Sequence, residues 1–272
     1  MTNKNGLMVH RYSSRVEAFY VNSWIIEFDQ GLVIIDSQFL LSEAKGLVKK
    51  IQEIGKPPVA LLITHPHPDH YNGSAFIKSV FPQIEIISTQ KTLDGIKSSE
   101  GPKRDFWTPI FHEDYPPVTA FPSKVTLSNN AVTILNTDFI FEDIGAGECE
   151  NVSTIFLPGH NVLFSSDLIY NEVHPWLAEG RSLLWLEQIT HALNKYPNVK
   201  HVYPGHGAVT DINGFHRILN YINRFQQLLR TKDEFKEVAT ALKAEFPNYP
   251  LEMLIDYNIP AVAKELGLQL SK

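Results

Sequence analysis

Residues 65–70, His-Pro-His-Pro-Asp-His, place four side chains that can bind metal within six positions. The apolar run before them, 59–64, predicts a fully buried strand, and residues 74–81 have the spacing of an amphipathic helix. A strand end is rigid and proline restricts the backbone, so ligands placed here keep a fixed geometry. With 11 histidines in the chain, chance would produce this spacing in about one of a thousand such sequences. The pattern therefore indicates a metal site at a sheet edge rather than a solvated turn.

Imidazole suits zinc, iron or manganese, and a carboxylate among imidazoles favours a harder divalent ion or a bridged pair of ions. The chain has one cysteine, which excludes an internal disulfide and a cysteine-based zinc site.

Composition places the 272 residues among globular proteins, with 43% hydrophobic and 20% charged residues. The net charge of −6, without a basic run, argues against a nucleic-acid or anionic-membrane partner and leaves a small-molecule substrate. Residues 1–6 lack an apolar signal core, and no stretch approaches the length of a membrane span. We therefore expect a cytoplasmic protein.

The rest of the chain predicts alternating strands and helices. The first half contains a hairpin, 18–29 and 32–36, and a helix at 41–54 with Ser42 as its N-cap and Gly55 after its end. Residues 101–123 carry many prolines and aromatics without a period, which predicts an irregular insertion. The other predicted strands are 84–88, 125–127, 132–135, 139–143, 152–157, 162–165 and 201–203. A helix is predicted at 183–196, and the C-terminal third is helical, with predicted helices at 212–229, 234–245 and 251–266. The repeated order predicts two sheets packed face to face with helices outside.

Two later segments repeat the arrangement of a predicted strand followed by a residue that can bind metal. Asp167 follows the strand 162–165, and His206 follows 201–203 in the sequence Pro-Gly-His-Gly. Alone, each would be an ordinary strand-end aspartate or turn histidine. Their assignment as ligands depends on a family resemblance carried by the order of these motifs, in which each ligand follows a strand at a shared sheet edge.

With its motifs in this order, the chain resembles the metallo-β-lactamase superfamily over about residues 20–211. The family's first motif, His-x-His-x-Asp-His after a strand, matches residues 65–70, and its later motifs match Asp167 and His206. The strand that ends in Asp36 matches the one whose aspartate braces the metal loop. The resemblance implies an α/β fold, the αββα four-layer sandwich, with a metallo-β-lactamase-like domain at 1–230 and a helical extension at 231–272 packed on it.

One histidine of the family's ligand set is replaced. The family's Gly-His-x-x-x-(Asn/Ser) motif aligns with Gly147–Ser153, which puts Glu148 at the histidine position. His160 also follows a Pro-Gly pair, but we predict a surface turn residue there. Carboxylate oxygen binds zinc at about the distance of imidazole nitrogen, so Glu148 is the predicted ligand, with Glu150 or Cys149 as alternatives.

The resemblance implies a centre of two divalent metal ions, with zinc expected and manganese or iron as options that Glu148 opens. Its implied action is hydrolysis by a hydroxide that bridges the metals and attacks an ester, lactone, thioester, amide (including β-lactam) or phosphoester bond. Asp69 would be the catalytic residue that orients this hydroxide and moves its proton. The implied ligands are His65, His67 and Glu148 for the first metal, Asp69, His70 and His206 for the second, and Asp167 as the bridge.

Other functions and residues stay open at this point. An iron-dependent oxidoreductase of the same fold is one alternative, and a non-catalytic member with one metal site lost is another. Trp24 on the N-terminal hairpin, and Tyr170 and His174 after the Asp167 motif, are the predicted substrate-binding residues. Aromatic residues of the irregular insertion, such as Trp107, are candidates for a lid over the site.

Overall fold

The computed structural model describes residues 6–271. Residues 1–5, within the segment that lacks an apolar signal core, and residue 272 lie outside the described residues. Among the described helices, none is both long and apolar enough to cross a membrane.

The first half of the chain forms a six-stranded sheet in sequence order. Its first three strands pair antiparallel, and the later ones pair parallel. The strands are β1 (Met8–Ser13), β2 (Asn22–Phe28), β3 (Gly31–Ile35), β4 (Pro58–Leu62), β5 (Glu85–Thr89) and β6 (Lys124–Thr126).

The second half forms a five-stranded sheet in the order β11-β10-β9-β8-β7. Its pairs are antiparallel except for the last two strands of the chain, which run parallel. These strands are β7 (Ala131–Ile134), β8 (Thr137–Gly145), β9 (Val152–Leu157), β10 (Val162–Asn171) and β11 (His201–Gly207).

Helices cover the outer faces of both sheets. Four pack on the side of the first sheet or near its edge: α1 (Leu41–Ile54), α2 (Pro68–Tyr71), α3 (Ser74–Val80) and α4 (Gln90–Phe111). Four belong to the second half: α5 (Ser182–Lys195), α6 (Asn213–Thr231), α7 (Phe235–Glu245) and α8 (Leu254–Glu265).

Side-chain alternation along the strands builds the layers. In β2, Trp24 and Ile26 belong to a core shared with the second sheet, whereas Ile25 packs with Leu47 and Ile51 of α1. Successive side chains of a strand point to opposite faces, so one strand serves both the inner core and the outer core. A third cluster joins β10 and β11 to α5–α8. The fold is therefore the predicted four-layer αββα sandwich.

The helix α4 is where the prediction from sequence was wrong. Residues 101–111 continue a helix that begins at Gln90 and contains Pro102 and Pro109. Proline removes a helical hydrogen bond and clashes with the preceding turn, so it argues against a helix. In addition, the buried positions of α4 are confined to its beginning, Thr92, Leu93 and Ile96. Its second half therefore carries no apolar period that could have revealed it.

Smaller differences concern helix and strand ends. The predicted strand 18–29 begins only at Asn22, because Val16–Ala18 form a 3-10 turn followed by two residues with positive φ. Ser42 does not cap α1 by itself: its backbone N–H and its hydroxyl both donate to Asp114. Gly55 ends α1 in the left-handed conformation, as predicted.

The C-terminal helices α7 and α8 share the core of the second sheet's outer face. Val238 and Leu242 of α7 and Ile259 of α8 are buried with residues of α6 and β10. The residues after 230 therefore pack on the outer face of the second sheet. The division into a domain and an extension at residue 230 stays a prediction.

Candidate metal centre

Seven histidine and carboxylate side chains converge at one edge of the two sheets. They form a first ligand group, His65, His67, Glu148 and Asp167, and a second ligand group, Asp69, His70 and His206. Within each group the candidate ligand atoms lie within 4.8 Å of one another. All seven predicted ligands are therefore close together, and the two sheets contribute to both groups.

The local structure explains how residues 65–70 present their side chains. His65 follows β4, and His67 is the residue before the first turn of α2, with Pro68 as that helix's first residue. Proline suits this position because its missing N–H would have no helical partner there. Asp69 and His70 lie inside the short helix, so the chain turns sharply around the site.

In the first ligand group, Glu148 faces both histidines. Its Oε1 lies 3.1 Å from Nδ1 of His67, and its Oε2 lies 3.8 Å from Nε2 of His65. The same Nε2 of His65 is 3.7 Å from Oδ2 of Asp167. Glu148 thus occupies the place at which the sequence alignment predicts a ligand.

In the second ligand group, Asp69 and Asp167 lie between two histidines. Oδ2 of Asp69 is 3.4 Å from Nε2 of both His70 and His206. Asp167 is 3.3 Å from Nε2 of His70 through Oδ1 and 3.2 Å from Nε2 of His206 through Oδ2. Asp167 contacts histidines of both groups, as a bridging ligand must.

Buried polar atoms without a hydrogen-bond partner test whether a cation fits. Such atoms are rare in native proteins, and each one in the described part of the chain needs an explanation. Five of them belong to the two ligand groups: Nε2 of His65, His70 and His206, Oε2 of Glu148 and Oδ1 of Asp167. Imidazole nitrogens and carboxylate oxygens together suit a divalent cation such as zinc, manganese or iron. The donor set therefore fits a metal.

Burial and charge set the protonation states of the candidate ligands. Burial would lower the pKa of His67 and His206, but Glu148 and Asp167 outweigh it and raise both values to about 9, so a cation that binds there displaces a proton. Burial lowers the pKa of His65 well below its ordinary value, which keeps its imidazole neutral. Burial alone would raise the pKa of Asp167, but the neighbouring His70 and His206 hold it well below its usual range. A neutral imidazole and an ionised carboxylate are the ligand forms.

Hydrogen bonds behind the histidines fix the direction of each ring. Nδ1 of His70 lies 2.8 Å from Oδ2 of Asp36, whose Oδ1 accepts from the Thr64 N–H at 3.0 Å. Nδ1 of His206 donates to the Phe19 carbonyl at 2.8 Å. Such partners keep the proton on Nδ1 and leave the Nε2 lone pair facing the site. Asp36 therefore braces the metal loop, as the resemblance implies.

The neighbours of Glu148 point away from the cluster. The Cys149 thiol donates to the Asn151 carbonyl at 3.3 Å, and burial raises the pKa of Cys149 well above its ordinary value. The Glu150 side chain is 79% exposed and lies 3.6 Å from Arg181. The Glu148 side chain, in contrast, is fully buried within the first ligand group. Of the three alternatives, Glu148 alone joins the candidate ligands in the described chain.

Gly205 allows Asp167 to reach its position. A Cβ atom at residue 205 would lie 1.8 Å from Oδ1 of Asp167. The strand β11 therefore needs glycine directly before His206 for steric reasons.

The three predicted substrate-binding residues lie in different surroundings. Tyr170 lines the cleft, stacks on the His206 ring at 4.5 Å, and donates its hydroxyl to Oδ2 of Asp167 at 2.7 Å. Burial and the Asp167 carboxylate raise its pKa well above the ordinary value, so it stays a donor.

Trp24 and His174 lie in cores rather than in the cleft, which corrects both predictions. Trp24 is 3% exposed, packs on Tyr203 at 5.0 Å, and donates its indole N–H to the Pro204 carbonyl. His174 is buried, and its Nδ1 lies 2.7 Å from the Tyr221 hydroxyl. Inner-sheet alternation and the packing of the C-terminal helices direct these side chains away from the cleft.

The cleft beside the metal centre has other walls that the sequence did not single out for binding. Lys103 of α4 donates to the Pro66 carbonyl at 2.7 Å, and burial lowers its pKa. The nearby His67, whose Nε2 lies 3.7 Å from the carboxylate, lowers the pKa of Glu179 to about 2. The apolar lining consists of Phe19, Trp107, Trp176, Leu251 and Leu254. Trp107, a candidate for a lid in the sequence, is one of these lining residues, whereas Leu251 and Leu254 carry no local signal in the sequence.

Comparison with known proteins agrees with this geometry. The family model of the metallo-beta-lactamase superfamily matches residues 16–224. A metallo-beta-lactamase type 2 of Bacillus sp. (strain 170) is 26% identical over 207 residues, 72% of this chain and 70% of that protein. The uncharacterized protein YobT of Bacillus subtilis (strain 168) is 27% identical over 73 residues, and the chain spans only 31% of its length.

Solved structures support the same fold. A metallo-beta-lactamase from Pontibacter korlensis superposes with a TM-score of 0.60 at 17% identity, covering 80% of this chain and 94% of that one. The family match extends over most of the chain and includes every candidate ligand. The chain therefore belongs to the metallo-beta-lactamase superfamily.

Proposed function

We propose that the protein is a hydrolase that works with two divalent metal ions, one in each ligand group. Superfamily membership and the clustered histidines and carboxylates support a metallo-hydrolase in general. The observation that carries the two-metal proposal is Asp167, which lies 3.7 Å or less from His65, His70 and His206. One carboxylate in contact with both groups suits a bridge between two ions. When bound, the ions would supply Lewis-acid activation of water and of the substrate's carbonyl or phosphoryl oxygen.

Within this proposal, Asp69 is the catalytic residue. Its carboxylate lines the cleft and lies 3.4 Å from both His70 and His206. In this place it can orient the attacking water and carry a proton toward the leaving group. Tyr170 holds Asp167 through its hydroxyl, so its role is to position that carboxylate.

Glu148 gives the first ligand group a harder oxygen donor and one more negative charge than a histidine would. Oxygen ligands shift preference toward manganese or iron, and imidazole ligands toward zinc. We propose zinc as the native ion, with manganese or iron as competitors in the first ligand group. Redox activity with iron is the alternative that this substitution favours.

The bond that is cleaved, the small-molecule nature of the substrate and a cytoplasmic location remain part of the proposal. The relative from Bacillus sp. (strain 170) is a metallo-beta-lactamase, which makes a β-lactam amide one candidate. Ester, lactone, thioester and phosphoester bonds are the others, because function on a shared fold depends on the site and its loops.

The direct test is elemental analysis followed by a hydrolysis screen. Protein reconstituted separately with Zn, Mn and Fe is assayed on lactone, β-lactam, thioester and phosphodiester substrates. His67→Ala should remove the ion of the first ligand group and most activity while leaving the fold intact, because His67 lies at a loop edge. His160→Ala, in the turn between β9 and β10, is the matched control and should change neither. Full turnover in His67→Ala would contradict the proposal.

A second variant tests the metal preference. Glu148→His restores an imidazole and removes one charge, so the preference for zinc over manganese should increase. Competition between the two ions, followed by elemental analysis, measures the change. An unchanged preference would mean that Glu148 does not bind metal.

A further inference from the structure

The apolar wall of the cleft includes residues beyond the part of the chain that matches the family. The family match ends at residue 224. Leu251 lies just before α8, and Leu254 is its first residue. Both line the same cleft as His67, Asp69 and Glu148. The C-terminal extension thus reaches the candidate centre directly.

The extension also holds the loop of residues 172–181, which joins β10 to α5. Asn258 of α8 is fully buried. Its Oδ1 accepts from the Leu177 N–H at 2.8 Å, and its Nδ2 donates to the Pro175 carbonyl at 2.8 Å. These two bonds fix the backbone on both sides of Trp176, whose ring lines the cleft.

Further contacts secure the same loop. The ring of Trp176 lies 6.0 Å from that of Tyr257 on α8. The His174 N–H donates to the Pro250 carbonyl at 3.1 Å. The Glu265 carboxylate accepts the backbone N–H groups of Ser182 and Leu183, which begin α5 after the loop. Because the backbone on both sides of Trp176 is fixed and its ring packs near Tyr257, the Trp176 side chain has little freedom to leave the cleft.

We propose that the C-terminal extension determines specificity by building an apolar acyl-binding wall from Trp176, Leu251 and Leu254, with Asn258 as the positioning residue for Trp176. This inference rests on the proposed metallo-hydrolase function. The matching substrates are acyl compounds whose reacting carbonyl lies at the metal centre and whose alkyl or aryl group lies on this wall. Phe19 and Trp107, which also line the cleft, continue the apolar surface.

The test uses straight-chain hydroxamates, whose head group chelates metal and whose tail probes the wall. Dissociation constants of aceto-, butyro-, hexano- and octanohydroxamate are measured calorimetrically on the zinc-loaded full chain. Each methylene buried on the wall should tighten binding about fourfold. In Trp176→Ala and Leu254→Ala, the gain in affinity per methylene should fall to less than about twofold. Asn258→Ala should lower this gain equally, although it removes no atom that lines the cleft.

Leu242→Ala is the matched control, because Leu242 is fully buried in α7 and does not line the cleft. The Leu242→Ala variant should have a lower melting temperature, but its hydroxamate affinity should depend on chain length as in wild type. Trp176 is only half-buried, so its variant remains informative if Leu254→Ala does not fold.

The outcomes separate the two proposals. Equal binding of all chain lengths to wild-type protein that holds metal would overturn the acyl-binding wall and leave the metal centre intact. A chain-length dependence that Asn258→Ala leaves unchanged would overturn the positioning role of Asn258. If no hydroxamate binds and elemental analysis finds no retained metal, the proposed function fails, and the inference fails with it.

Discussion

The two ligand groups of the candidate centre differ in what lies behind them. In the second group, His70 contacts the buried Asp36 and His206 donates to the Phe19 carbonyl. In the first group, Nε2 of His67 lies 3.7 Å from Glu179, whose side chain is 35% exposed. Outside the ligand groups, Glu148 has a long contact, 3.4 Å, from the Tyr170 hydroxyl. Nδ1 of His65 faces uncharged partners, the Thr64 and Ser166 hydroxyls, at 3.1 and 3.0 Å.

This difference implies that the two ligand groups of one centre differ in metal affinity and in the range of ions that they accept. Partners behind the ligands typically change metal affinity by about 10–100-fold. We therefore expect the second ligand group to bind its ion more tightly. The first ligand group, in which the partner of His67 is partly exposed and the partners of His65 are uncharged, should accept a wider range of ions.

The largest effect should come from removing one ligand on each side. Glu148→Ala should retain about one metal equivalent, held by the second ligand group, with activity reduced at least about 100-fold. His206→Ala should retain less metal through the same dialysis, because its remaining ion lies in the weaker group. Elemental analysis of both variants measures this. The opposite order of retention would invert the comparison, and two equivalents in Glu148→Ala would exclude Glu148 as a ligand.

Next in size is Asp36→Asn. Asp36 has a φ of 62°, which asparagine tolerates, so the backbone should be kept. An asparagine amide can donate to Nδ1 of His70, which would place the ring proton on the ligand nitrogen Nε2. Metal affinity of the second ligand group should fall about 10–100-fold, as measured by competition with a chelator. A change below twofold would show that Asp36 does not brace the site.

A smaller effect is expected for Glu179→Gln in the first ligand group. Its contact with His67 is long and partly exposed to solvent, so the charge is screened. Metal affinity should change less than about tenfold. Glu150→Gln is the control: Glu179 and Glu150 both pair with Arg181, at 2.9 and 3.6 Å, but Glu150 is outside the ligand groups and does not contact them. An effect as large as that of Asp36→Asn would remove the distinction between the groups.

The smallest effect on metal binding is expected for His174→Gln, which instead should change the pH dependence of stability. Burial lowers the pKa of His174 to about 4, and the unfolded value is near 6.5. Between these values the unfolded chain binds a proton that the folded chain does not. Stability therefore falls as pH decreases from 6.5 to 4, by up to about 3 kcal/mol from this group, and is unaffected by it above 6.5.

Urea unfolding at several pH values measures this difference. His174→Gln should lose less stability than wild type on acidification, with metal content unchanged at neutral pH. The carboxylate of Glu252 and the ammonium of Lys243 also act on His174, in opposite directions. Equal acid sensitivity of the two proteins would contradict a neutral, buried His174.

Local patterns predicted much of the fold and the ligand candidates of residues 65–70, and the family resemblance added Glu148, Asp167 and His206. The helix at Leu41–Ile54 has the predicted bounds because its buried positions repeat at helical spacing. The strand Val152–Leu157 also has the predicted bounds, as a short run that is buried at all positions but one. The motif of residues 65–70 combines dense ligands with a strand end, which is a local property. Those parts of the sequence therefore carry their own structural information.

Long-range packing explains what could not be predicted. α4 tolerates Pro102 and Pro109, and Trp107 and Phe111 pack edge-to-face on Phe39. Trp24 and His174 have side chains typical of binding sites, but their surroundings come from elements far away in the chain. The contact of Asn258 with the loop before α5 joins residues 81 and 83 positions apart. No local pattern encodes such pairs.

The division of the two sheets along the chain has a consequence for folding. Residues 8–126 supply every strand of the first sheet, and residues 131–207 supply every strand of the second. His65, His67, Asp69 and His70 come from the former half, and Glu148, Asp167 and His206 from the latter. A cation bound between them would act as a cross-link that the unfolded chain lacks, and it would stabilise the folded state by mass action. Metal uptake would then report on the docking of the two halves.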